Sequence, residues 1–167
     1  MIAITLDKRY PGIVAQALST LRTTFPETPA HCYGHKRGCF LVQMSHPSLP
    51  AAFPQHGPGR KHLRCVALTD WQLGLTRRAP EALLGGLIHS DGARCVNRFD
   101  TELPSGRVAH YEYPRYFFSN LSSDIRGIFC DHCDLLGIRW TQSRHRNISI
   151  SNRSSVALLD SFLGPKQ

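Results

Sequence analysis

The chain has 167 residues, 41% of them hydrophobic, and a formal net charge of +8 from 20 Lys and Arg against 12 Asp and Glu. That length and apolar content suit one medium domain or two small repeats with a buried core, and they exclude a disordered chain. No apolar run reaches the roughly 18 residues of a membrane span, and the apolar start at 1–4 is too short for a signal peptide. The expectation is an intracellular protein, cytoplasmic or, in a prokaryote, associated with the nucleoid.

The basic residues are mostly Arg, whose planar fork suits phosphates and guanine edges. A basic balance speaks about partners rather than fold, and nucleic acid is the commonest such partner; charge alone leaves a merely soluble basic protein equally open. Six cysteines without a secretory signal read as thiols. Cys130 and Cys133 have the C-x2-C spacing of a zinc half-site. They sit in a helical pattern with Phe129 and Leu136, however, and Cys32, Cys39 and the nearby histidines offer no matching second half, so core cysteines are the better reading.

In chain order, residues 1–7 alternate and read as a strand. Pro11 opens a helix carrying Ile13, Val14, Ala17, Leu18 and Leu21, ending near Phe25-Pro26. Strands follow over 30–35 and 39–44, joined by Lys36-Arg37-Gly38, then a short helix that stops at Pro54. Residues 55–64 read as an exposed basic linker, in which Arg60, Lys61 and Arg64 would touch only the backbone of a nucleic-acid partner. His31, His35, His46, His56 and His62 lack ligand spacing and read as surface residues. Thr69-Asp70 caps a helix over 71–78, and Pro80 begins the next.

That next helix holds Leu84-Gly85-Gly86-Leu87-Ile88-His89-Ser90-Asp91-Gly92. Leu84, Leu87 and Ile88 share one face, Gly85 and Gly86 permit close backbone approach, and Gly92 is expected to stop the helix in a left-handed conformation. A hairpin over 93–103 and 107–118 turns at Pro104-Ser105-Gly106. Ser122-Ser123-Asp124 caps a helix closed by Gly137, a second hairpin spans 138–143 and 147–152, and Ser154-Ser155 caps the last helix. From Pro80 the order is αββαββα.

Part of that order occurs earlier too. Ile13 and Ile125, Phe40 and Ile148, and Phe53 and Phe162 stand at matching points, each pair about 110 residues apart. The domain reading is therefore a partial βαββα repeat at 1–58, a basic linker and short helix at 59–79, and a complete αββαββα repeat at 80–167. On this spacing the first repeat lacks its opening helix and strand, so a missing N-terminal segment or a second copy is expected to complete the pair.

Leu84 to Gly92 resembles the nine-residue motif of the LAGLIDADG homing endonucleases, and the element order after it matches that family's α+β unit. The resemblance implies a four-stranded saddle, two units packed through Leu84, Gly85, Gly86 and Leu87 of the motif helix, and a double-stranded DNA partner. It implies Mg²⁺ held by Asp91 with the carbonyl of Ser90, and phosphodiester hydrolysis assisted by Asn120 near the attacking water. The family's other frequent acid falls on His89. DNA contacts are expected from Arg94, Arg98, Arg107, Arg115, Arg139, Arg144, Arg146 and Arg153, with Thr141, Ser143, Ser149 and Ser151 between them. The alternative is a transcriptional regulator that keeps the fold and binds DNA without cutting it.

Overall fold

Two antiparallel sheets, each backed by helices, organise an α+β chain. The computed structural model describes residues 1–35, 38–57 and 59–166. Lys36 and Arg37 of the first hairpin connection, Pro58 of the linker and the side chain of Lys61 lie outside the described residues. Contacts divide the chain into two compact units, Met1–Pro58 with Pro165–Gln167, and Gly59–Gly164. No helix among the described residues is long and apolar enough to cross a membrane.

The first unit runs β1 (Ile2–Asp7), α1 (Pro11–Thr24), β2 (His31–His35), β3 (Cys39–Met44) and α2 (Leu49–Ala52). Pro11 occupies the first helical turn, where its missing N–H would lack a partner anyway. Ile2, Ile4 and Leu6 pair in register with Met44, Val42 and Phe40, so alternation places all six on one face. That face meets Val14 and Leu21 of α1 in a small core. The strand order is β1-β3-β2.

The second unit contains α3 (Asp70–Arg78), α4 (Pro80–Asp91), β4 (Gly92–Glu102), β5 (Val108–Ser119), α5 (Ser123–Leu135), β6 (Thr141–Arg144), β7 (Asn147–Ile150) and α6 (Arg153–Phe162), and its sheet order is β4-β5-β7-β6. The last three strands, β5-β7-β6, reproduce β1-β3-β2, with α5 and α6 where the first unit has α1 and α2. Leu84 and Ile88 of α4, Phe118 of β5, Phe129 and Cys133 of α5, and Ile148 of β7 form the core. Phe118 and Phe129 stack with ring centroids 4.3 Å apart. Residues 59–79 pack into this unit: the Val66 amide donates to Asp124 at 2.8 Å, and Thr69 and Gln72 cap α3 reciprocally.

Three local expectations change. Gly92 is not left-handed; at φ −113° and ψ 172° it is extended and already the first residue of β4. Glycine is required there for space instead, because a Cβ would stand 2.8 Å from Ile88 Cα and 2.9 Å from the carbonyl oxygens of Ile88 and Phe117. The second hairpin is shorter than the sequence suggests, since Ile138 enters the core and Trp140 turns its indole N–H to Asp134 at 2.8 Å before β6 begins. The final helix is capped earlier than expected, by Asn152, whose Oδ1 accepts from the Ser155 amide at 3.2 Å.

Gly92→Ala must push a Cβ into backbone, which side-chain rotation cannot relieve. The expected loss is about 1–3 kcal/mol of unfolding free energy, read from urea denaturation. A change under about 0.5 kcal/mol, the range of ordinary surface substitutions, would contradict the close approach.

Candidate nucleic-acid interface

Side chains on a strand point alternately to opposite faces, so the register of the second sheet sorts its residues into two sets. Tyr116 and Phe118 are buried beneath the helices, and Gly92, Arg94, Val96, Arg98, Asp100 and Glu102 share their face through pairings such as Arg94 with Tyr116. The other face carries Asn97, Phe99 and Thr101 from β4, Tyr111, Tyr113, Arg115, Phe117 and Ser119 from β5, and Asn147 and Ser149 from β7. β6 adds Thr141, which pairs with Ser149, and, past an irregularity in register, Arg144, which pairs with Asn147. Every carboxylate within the four strands (Asp100, Glu102 and Glu112) falls on the helix side. The open face is thus free of acid and carries two guanidiniums.

Arg115 sits over Phe117, its guanidinium carbon 3.9 Å from the ring centroid. Neither Arg115 nor Arg144 has an acidic partner among the described residues. Farther out, Phe99 and Tyr111 stack at 5.2 Å, Phe99 meets Tyr113 edge-on, and the Asn97 amide donates to the Tyr113 hydroxyl at 3.1 Å. These residues sit on a two-stranded ribbon, because β7 pairs with β5 only from Tyr116 to Ser119. Sequence reasoning missed the rings. Their signal was available, since they share the odd-numbered positions of Arg115 rather than the even ones of Tyr116 and Phe118.

The expected DNA contacts divide accordingly. Arg94 and Arg98 lie on the helix side and are paired, Arg94 with Asp160 of α6 at 2.7 Å and Arg98 with Glu112 at 3.0 Å. Ser149 is only 5% exposed, on the interior strand β7. Arg107 stands at the exposed hairpin turn, and Arg146 at the turn between β6 and β7. Arg139 precedes β6 and Ser151 follows β7; both are exposed. Arg153 opens α6 rather than lying on a strand. Ser143 bonds the Asn147 carbonyl at 3.4 Å. The corresponding face of the first unit carries His31, Tyr33 and His35, all exposed.

At the other end of the sheet, the structure brings Asp91 and Asn120 together. Asp91 is exposed at the end of α4, and Asn120, buried just past β5, donates its amide to Asp91 Oδ2 at 2.9 Å. Asn120 is itself held: Oδ1 accepts from the Ser122 amide at 2.9 Å and its carbonyl from Arg126 at 2.7 Å. The Ser90 hydroxyl turns back to the Leu87 carbonyl at 2.9 Å, and His89 reaches the Gly164 carbonyl at 3.3 Å. Leu84 is fully buried in its own unit and Leu87 packs against that core; a Cβ on Gly85 would meet Leu163 at 3.5 Å, while one on Gly86 would meet nothing within 4 Å.

Among the described residues no three His, Cys, Asp or Glu side chains converge as a metal site, so Asp91 supplies one carboxylate. Mg²⁺ is commonly held by one or two carboxylates together with waters and substrate phosphates, and one exposed carboxylate fits that shared mode, not a cage of protein ligands. Cys130 and Cys133 are core residues; burial pushes the Cys130 thiol up to about 11 and the Cys133 thiol higher, so neither is a thiolate at neutral pH.

No protein-family model matches the chain, and no curated protein matches it. A search of solved structures finds similarity to a mutant of I-SmaMI, a LAGLIDADG homing endonuclease, at 13% identity and a TM-score of 0.46, covering 93% of this chain and 68% of that one. At that identity and TM-score no residue role is carried over.

Behind the open face, Asp160 joins α6 to the sheet. Arg94 donates to both its oxygens and the Tyr116 hydroxyl to Oδ1 at 2.6 Å. The Arg94 hydrogen bond, foremost, holds the Asp160 carboxyl below its ordinary value, and burial together with Asp160 raises Tyr116. A lowered carboxylate contributes stability above its unfolded pKa and loses it as pH falls through the folded one. Wild type should therefore exceed Asp160→Asn in stability at pH 7, with the gap closing below about pH 4. Urea midpoints at pH 7 and pH 3 measure it; a gap unchanged by acid contradicts the clamp.

Proposed function

We propose that the protein binds double-stranded DNA through the open face of the second sheet, with the β4–β5 ribbon entering the major groove. One observation carries the reading: the sheet sends its three carboxylates to the helix side and leaves Arg115 and Arg144 among amides and hydroxyls on the open one. A two-stranded ribbon fits the major groove, where Asn and Arg distinguish base edges, while guanidiniums and hydroxyls meet phosphates. Arg107 at the ribbon tip and Arg146 at the β6–β7 turn extend the basic surface at two exposed ends.

A second reading, Mg²⁺-dependent cleavage in the manner of the LAGLIDADG nucleases that Leu84 to Gly92 resembles, is favoured by the Asp91–Asn120 pair. A buried amide that fixes one oxygen of an exposed carboxylate orients it, and a plain helix end has no need of that. Asp91, with the Ser90 carbonyl, would hold the ion jointly with a DNA phosphate. Bound there, Mg²⁺ would stabilise charge developing on the phosphate. Asn120 keeps the carboxylate in place by donating to one of its oxygens. The same face without cleavage describes a transcriptional regulator.

Fluorescence anisotropy with a labelled duplex tests the binding. Affinity should fall steeply with salt, and Arg115→Ala or Arg144→Ala should each flatten the slope of log K against log salt by about 0.9. Arg98→Ala, on the other face, should stay within about twofold of wild type, as expected for an exposed ion pair. An affinity insensitive to salt overturns the reading. Duplex cutting with Mg²⁺ that Asp91→Asn abolishes without weakening binding supports the nuclease; binding with no cutting by wild type supports the regulator.

A further inference from the structure

The acid-free face is not uniform. Its near half, over the four-stranded part of the sheet and at its border, offers Arg144, Arg115 and small polar groups. Its far half, on the two-stranded ribbon, offers rings: Phe99 is 43% and Tyr111 44% exposed, although both are large apolar groups that folding normally covers. Their mutual stacking at 18° between planes covers one side of each ring, and the remaining exposed area lies on the acid-free face. Tyr113, bonded by Asn97, stands edge-on to Phe99 and steadies the pair. Paired base edges recognise amides and guanidiniums; they gain little from ring faces. Unpaired bases stack on such faces, and a guanidinium-bearing groove beside them tracks the backbone. The lack of any carboxylate among the strand residues on this side, within a chain of net charge +8, matches a polyanion and opposes a basic or purely apolar partner.

Resting on the DNA-binding reading above, we propose that this face prefers DNA with locally unpaired bases, Phe99 and Tyr111 being the stacking platforms and Arg115 and Arg144 the phosphate contacts. The preferred ligand is then a duplex with a short bubble: along paired DNA the ribbon lies in the groove, and where the strands open the freed bases stack on its rings.

The test compares three labelled DNAs of equal length by anisotropy: a duplex, the same duplex with a central bubble of mismatched thymines, and a thymine single strand. Wild type should bind the bubble at least about tenfold more tightly than the duplex, and Phe99→Leu or Tyr111→Leu should weaken bubble binding about tenfold while leaving the duplex within about twofold. Leucine preserves an apolar cross-strand pair, and urea unfolding of each variant confirms that the ribbon persists. Photocrosslinking with 5-iodouracil in the bubble supplies a readout that a merely structural role would not move: crosslinks should map to Phe99 or Tyr111. Equal affinity for duplex and bubble, or equal losses on both, overturns the preference and leaves duplex binding intact. Binding to none of the three overturns both.

Discussion

Between α4 and β4 the main chain passes so close to its neighbours that no side chain fits. A Cβ on Gly92 would run into the backbone of Ile88 and the carbonyl of Phe117 at once. This contact ends the helix, opens the strand and sets Gly92 opposite Phe118. Because the side-chain period of a strand is two, that one pairing determines which face every later residue of β4 occupies. A slip by one residue would turn Asp100 and Glu102 toward the open face and carry Asn97 and Phe99 to the opposite one. The electrostatic character of the surface thus depends on a steric fact at its edge.

Asn120 plays the matching part on the other strand. Its backbone amide donates to the Arg146 carbonyl at 3.1 Å, its own carbonyl accepts from Arg126, and its side chain spans Asp91 and the Ser122 amide. The end of α4, the cap of α5 and the β6–β7 turn are therefore tied at one buried amide. A buried group so fully bonded is costly to rearrange, since each lost partner leaves a desolvated polar atom. Asp91 inherits that rigidity although it is itself exposed.

Much of this architecture is legible in the residues. Apolar spacing, Pro11 and Pro80 at helix starts and Ser122 at a cap mark the elements, because those signals are local. The repeated topology is legible as spacing alone, and β1-β3-β2 against β5-β7-β6 expresses it in strand order. What the residues do not disclose is non-local. Arg94 reads as a free strand arginine because Asp160 lies 66 residues away in sequence. Ser149 reads as the polar side of an alternating strand; flanked by β5 and β6, it is nearly covered. Gly92 does stop the helix, but by crowding rather than by handedness, since Phe117 belongs to a strand that returns only after the hairpin. A family likeness links Asp91 with Asn120 in sequence, and only the fold supplies the hydrogen bond between them.

The ribbon formed by the outer parts of β4 and β5 has a geometric consequence of its own. A pair of strands without lateral neighbours coils more strongly than a wide sheet, because nothing holds it flat. The face bearing Phe99 and Tyr111 therefore turns about the ribbon axis relative to the face bearing Arg144, although both belong to one continuous side of the polypeptide. A straight, smooth rod laid on one end would diverge from the other. To follow the surface along its whole length, a partner must itself wind, with a handedness matching that of the coiling strands.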